Sequence, residues 1–277
     1  MKEDREDGMN HKLIPQIVGS TLVMPLLVAC GVAQPAPAST PIPTSPPEST
    51  QVTLYYEENA QFELISPQGT RVLIDVFNPP ALSSPVTEKD ILLTTHGHDD
   101  HIQGDFVASF PGQQLRIREG EINLPDVSIR GIASAHSASG ELKPEGGSNY
   151  IFIVDMGGLR IAHFGDIGQD QLTQEQLDAL GEVDIALTQF VNSYSRMSVE
   201  NKKGFSLMAQ VKPRLIIPTH GGSDMDAIQY AMELWDVVAA DASEVSVGRS
   251  DMPDATTVLV MGEMAPAMKK IYDLPTW

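Results

Sequence analysis

The reading of this chain turns on Ile91-Leu92-Leu93-Thr94-Thr95-His96-Gly97-His98-Asp99-Asp100-His101. Ile91 to Thr95 is a short apolar and β-branched run of the kind that forms a buried strand. The histidines follow on a loop at the sheet edge, with Asp100 and His101 leading into a short helix. Extended backbone sends alternate side chains to opposite faces, so His96 and His98 point to one side. Asp100 and His101 fall on the next turn and reach a second position nearby. Imidazole and carboxylate together suit Zn²⁺ and similar divalent transition metals. With 7 histidines in 277 residues, this pattern of three His and one Asp arises by chance in roughly one such chain in several thousand.

The other histidines lie outward from this stretch in similar settings. His136 ends the run Ile132-Ala133-Ser134-Ala135-His136, and His220 ends Ile216-Ile217-Pro218-Thr219-His220 ahead of Gly221-Gly222. Asp166 closes His163-Phe164-Gly165-Asp166, after the second strand of an expected hairpin. Strand ends followed by glycines are where a sheet presents ligands at a common edge.

Taken in order, these residues resemble the signature of the metallo-β-lactamase-fold hydrolase superfamily: His-x-His-x-Asp-His, a lone His, a bridging Asp and a final His. The likeness spans Gln51 to at least Gly222. The segments GGSNYIFIVDMGGLRIAHFGDIG (146–168) and LIIPTHGG (215–222) are most similar to its ascorbate-phosphate-lactonase-like branch. The resemblance implies an α/β (α+β) fold, a four-layer αββα sandwich with metals at the shared edge. It implies His96, His98 and His136 around one metal, Asp100, His101 and His220 around the other, and Asp166 bridging them. Two divalent cations, Zn²⁺ first with Mn²⁺ or Fe²⁺ also accommodated, would lower the pKa of bound water and polarise the scissile bond. Asp100 would also act catalytically by orienting the attacking hydroxide.

The expected activity is hydrolysis of an ester, lactone or phosphodiester in a small-molecule substrate. The alternative is a non-catalytic surface lipoprotein that binds metal or a partner. A β-lactamase with a cysteine ligand is excluded, because the single cysteine, Cys30, lies far upstream. A flavin-linked reductase would need a further domain for which no residues remain.

Other residues have plainer readings. His163 is expected in the core or behind the ligands, since a full set exists without it. Asp75 is read equally as a partner of a ligand or as a strand-end turn residue. Asp99 is expected to face solvent. Asn192, Ser193 and Tyr194 follow an expected strand and are candidates for the site mouth or for oxyanion stabilisation, although an ordinary polar loop explains them as well. Met225 and Met232 read as core or groove filling rather than ligands, and Trp235 as core, on a long amphipathic helix over Asp224 to Ala240.

Composition narrows the partners. The net charge is −19, from 18 Lys+Arg against 37 Asp+Glu, which argues against nucleic acid and against an RNA-processing nuclease. It argues equally against attraction to anionic lipid. Residues Leu13 to Ala29 are mostly apolar and end at Leu27-Val28-Ala29-Cys30-Gly31, which resembles a bacterial lipoprotein lipobox. Residues 1–30 are thus expected to be a signal peptide with its lipobox cysteine, 31–50 a Pro/Ser/Thr-rich tether, and 51–277 the hydrolase domain. The expected location is extracytoplasmic, anchored to the membrane through lipid on Cys30, which suits a domain with no other cysteine. The acidic cluster before Met9 is foreign to a signal peptide, which points to Met9 as the start of translation. Nothing in the sequence sets an oligomeric state.

Strands are expected at 51–57, 61–66, 71–77, 91–95, 114–118, 127–134, 150–155, 159–163, 183–187, 215–217 and 256–261, and helices at 173–180, 203–211 and 224–240.

Overall fold

A computed structural model describes residues 50–136, 147–220, 224–263 and 265–277. The segment expected to be a signal peptide, with Met9 and Cys30, and the expected tether up to residue 49 lie outside the described residues, as do Gly221 and Gly222. The described residues belong to one compact unit.

The first half is mostly strand, in chain order β1 (Val52–Glu58), β2 (Gln61–Ile65), β3 (Arg71–Ile74), β4 (Ile91–Thr94), α1 (Gly104–Ser109), β5 (Gln113–Arg116), β6 (Gly120–Asn123) and β7 (Val127–Ser134). The second half continues with β8 (Asn149–Met156), β9 (Leu159–His163), α2 (Gln174–Leu180), β10 (Ile185–Gln189), α3 (Lys203–Val211), β11 (Leu215–Thr219), α4 (Met225–Leu234), β12 (Asp236–Ala239), β13 (Glu244–Val247), β14 (Thr257–Val260) and α5 (Ala265–Tyr272).

The strands build two sheets, one ordered β13-β1-β2-β3-β4-β5 and the other β12-β14-β11-β10-β9-β8-β7-β6. Period-2 burial explains their stacking. In β1, Val52, Leu54 and Tyr56 turn inward and meet Phe152, Val154 and Met156 of β8 in a core between the sheets. The intervening Ile151 and Ile153 face outward into a second core with residues of α2 to α5. Both faces of β8 are therefore covered, which is why its stretch Tyr150 to Val154 reads as an unbroken apolar run. The outer face of the smaller sheet carries Leu73 and Leu92 under Val107 of α1 and Phe110. The result is the expected four-layer αββα sandwich, with one outer layer reduced to a single short helix.

Several expectations needed correcting. The helix expected over 224–240 stops at Leu234; Trp235 has extended backbone and Asp236–Ala239 is β12, parallel to β14. Val237 and Val238 are β-branched and fill an open sheet edge, which outweighs helical periodicity. Met225 and Met232 are exposed rather than core, at 44% and 42%. Trp235 does stack on Phe190 and Phe205. β3 ends at Ile74 rather than Phe77, because Asp75 adopts a positive φ of 51°. β10 is displaced by two residues from the expected 183–187. β6, β13 and α5 were not expected; β6 and β13 are short strands of modest apolarity, β6 in a hairpin with the β7 that follows it and β13 paired with the distant β1. The helix α2 matches its sequence signal, with Thr173 and Gln176 in a reciprocal cap.

Candidate metal centre

β3 and β4 run parallel in one sheet, and β9, β10 and β11 run parallel in the other. Their C-terminal ends, together with that of β7, carry the chemistry-bearing residues to one edge. Asp75 follows β3, His96 to His101 follow β4, His136 follows β7, Asp166 follows β9, Asn192 follows β10 and His220 follows β11.

The donor atoms fall into two groups, His96, His98, His136 and Asp166 in one, Asp100, His101 and His220 in the other. Within each, donor atoms lie within 4.8 Å of one another. All seven residues named from the sequence are thus brought together. Asp166, at 1% exposure, stands between the groups. Its Oδ1 lies 2.9 Å from His220 Nε2 and 3.2 Å from His101 Nε2. Its Oδ2 lies 3.4 Å from His136 Nε2 and 3.8 Å from His96 Nε2.

A metal fits this donor set on structural grounds. His96 Nε2 and His136 Nε2 are buried and make no hydrogen bond among the described residues. Buried polar atoms are rarely left so. Both nitrogens belong to the group of donors converging on one point, where a cation would satisfy them.

The surroundings orient several of these candidate ligands. His101 Nδ1 is 2.7 Å from Asp75 Oδ2, so the fully buried Asp75 holds its N–H and aims Nε2 at the centre. Asp75 is itself held by Thr95 N and Thr95 Oγ1, at 2.8 and 2.7 Å. Both readings of Asp75 apply, since its positive φ is what turns the carboxylate back under the centre. Asp100 is held by Asn59 Nδ2, 3.2 Å from Oδ2. Asn59 O also accepts His220 N at 2.8 Å. Asn149 Oδ1 accepts Asp166 N at 3.0 Å.

The electrostatics follow from burial and from these contacts. Burial is the largest influence on Asp166 and disfavours its charge, but the imidazoles of His101, His136 and His220 facing its oxygens outweigh it and hold the carboxyl well below the usual range. Burial also opposes charge on His101, yet Asp75 and Asp166 carry it up to about 10. Burial and the neighbouring His101 push His96 down to about 3.

His163 is a core residue, with Nε2 3.0 Å from Ala60 O and Nδ1 accepting Gly165 N. Asp99 is exposed as expected. Asn192 spends its amide hydrogens on Asp166 Oδ2 at 2.9 Å and Gln189 Oε1 at 2.6 Å, so it is not a free oxyanion donor. Tyr194 does line a pocket of about 510 Å³ with Gly97, His98, Asp99 and Asp100. Sequence reasoning missed Asn59, Thr95 and Asn149. Asn59 alone had a visible signal, an Asn at the β1–β2 turn.

Comparisons agree with this geometry. The chain is 28% identical over 213 residues to a UPF0173 metal-dependent hydrolase of Anaeromyxobacter sp. (strain K), covering 63% of this chain and 75% of the relative. It is 26% identical over 212 residues to one of Thermococcus onnurineus, covering 67% and 87%. A crystal structure from Thermotoga maritima, described as a member of the metallo-beta-lactamase superfamily, shares the fold with a TM-score of 0.56. It is 19% identical and covers 76% of this chain and 100% of its own. Residues 53–220, from β1 through the last histidine of the cluster, match the family described as the beta-lactamase superfamily domain, and the chain belongs to that family.

Proposed function

We propose that this chain is a metal-dependent hydrolase whose centre takes two divalent cations and cleaves an ester, lactone or phosphodiester in a small molecule. The carrying observation is Asp166, whose two oxygens face two different groups of histidines. One carboxylate so placed is suited to link two ions. Imidazole and carboxylate donors accommodate Zn²⁺ first, and Mn²⁺ or Fe²⁺ as well. Such cations lower the pKa of water and polarise an acyl or phosphoryl oxygen. Asp100, held by Asn59 and opening onto the pocket, orients the attacking water and accepts its proton. The likeness of 146–168 and 215–222 to lactonase-like hydrolases keeps a lactone among the substrates to be tried. The relatives described as metal-dependent hydrolases support the same reading.

The test is steady-state hydrolysis by the full chain loaded with zinc or manganese, offered a chromogenic phosphodiester, a lactone and an aryl ester. Two metals per chain are expected, with turnover of one substrate class that disappears in Asp100→Ala. Asp166→Ala is expected to lose metal. Two bound metals with no turnover on any substrate would favour a metal- or partner-binding role instead.

We further infer from residues 13–30 that Cys30 carries a lipid and that the domain works outside the cytoplasm on a tether. Loss of radiolabelled palmitate incorporation in Cys30→Ser is the expected result. Full production of processed protein from Met9→Leu would exclude Met9 as the start.

A further inference from the structure

The loop after β10 carries a side-chain arrangement that its own folding does not require. Asn192 and Met197 exchange backbone hydrogen bonds of 3.1 and 2.8 Å, and Arg196 N donates to Ser193 O at 3.1 Å. Residues 193–196 are thereby closed into a turn. Tyr194 projects from it, 76% exposed, with its ring 6.5 Å from that of His98.

This turn and the end of β10 are stapled to the Asp166 segment by side chains that donate to its backbone carbonyls. Ser195 Oγ donates to Asp166 O at 3.0 Å, and Gln189 Nε2 donates to Ile167 O at 2.9 Å. The buried Lys203 Nζ reaches Gly168 O at 3.0 Å and Ser195 O at 3.4 Å. Against that background the side chain of Asn192 makes a different kind of bond. Its Nδ2 reaches the carboxylate of Asp166 at Oδ2, 2.9 Å away, while its Oδ1 accepts Tyr194 N at 2.9 Å. A carboxylate turns easily about its last torsion, which has broad wells. A donor on Oδ2 selects the rotation that shows Oδ2 to His96 and His136 and Oδ1 to His101 and His220.

We propose that Asn192 is the positioning residue for the Asp166 carboxylate and that the same amide registers Tyr194 as a substrate-contacting wall of the pocket. The two ends of one side chain then set the metal geometry and the mouth of the site together. This rests on the proposed metal-dependent function. Partners behind a metal ligand typically change metal affinity tenfold to a hundredfold when removed.

The experiment loads the full chain with Co²⁺ and records its visible spectrum and its loss of cobalt to a chelator, then measures kcat and KM on whichever substrate the wild type turns over. Asn192→Ala is expected to shift the cobalt bands, to weaken cobalt retention about tenfold to a hundredfold and to raise KM. Tyr194→Ala is expected to raise KM alone, with spectrum and retention as in the wild type. If Asn192→Ala does not fold by its thermal melt, Asn192→Ser takes its place, since its short hydroxyl cannot serve both ends. An unchanged spectrum and retention in the folded variant overturns the proposal whatever happens to turnover. A shifted spectrum with unchanged KM overturns the link to Tyr194. A wild type that binds no cobalt overturns the proposed function and this inference with it, whereas a wild type that binds and a variant that matches it overturns the inference alone.

Discussion

Asp75 shows how much one buried residue decides at this centre. Its carboxylate takes the Nδ1–H of His101, which leaves Nε2 as the nitrogen that faces the centre and would give up its proton to a cation. In Asp75→Asn an amide N–H would face Nδ1, move the proton to Nε2 and block it as a ligand. Metal affinity is expected to fall about tenfold to a hundredfold, read by chelator competition; wild-type affinity would contradict the orienting role. His163 makes a second prediction. Burial is the main cause of its lowered pKa, and its neutral ring uses both nitrogens, donating to Ala60 O and accepting from Gly165 N. An unfolded histidine titrates near 6.5. Below that pH the unfolded chain gains a proton that folded His163 refuses, so stability is present above about pH 6.5 and falls as pH drops, by at most about 1.4 kcal/mol per pH unit. His163→Gln, which keeps a donor for Ala60 O, is expected to flatten denaturant-derived stability between pH 7 and 5. An unaltered slope would assign the effect elsewhere.

At the scale of elements, the turn from β9 into Asp166 depends on Gly165. Its φ is +54°, and a Cβ there would collide with Asn149 Oδ1 and the Thr95 side chain. The left-handed backbone alone costs an L residue about 1–2 kcal/mol. Gly165→Ala is therefore expected to lower the melting temperature by several degrees. It should also reduce bound metal, because Asn149 Oδ1 holds the Asp166 amide. Lowered stability with full metal content would show that the strain does not reach Asp166. Elements with local signals were readable from sequence. The α2 cap, the β8–β9 hairpin and α3 stand where expected. The α4–β12 boundary was not, since apolar residues over 224–240 fit a helical face as well as a helix followed by a strand. Only pairing with β14 separates them.

For the molecule as a whole, the candidate ligands come from both sheets, so a bound metal clamps the sandwich at its edge. A ligand present at a thousand times its Kd and bound only by the folded state stabilises it by about 4 kcal/mol. In a domain of this size that is about 10 °C in melting temperature. Chelation is expected to produce a drop of that order; an unchanged melt would mean that the metal does not tie the sheets together. The sequence by itself determined the candidate ligand types and the strand ends that bear them, because His-x-His-x-Asp-His after a buried strand is local information carried by spacing and backbone geometry. Tertiary structure alone decided the rest. Asn59 reaches Asp100 across 41 positions, and His101 lies beside His220 across 119. Asp75 and Asn149 acquire their partners only when the strands beside them have paired. Hydrogen bonds are short-ranged and directional, so no spacing in the chain announces a contact that exists only after two sheets have stacked.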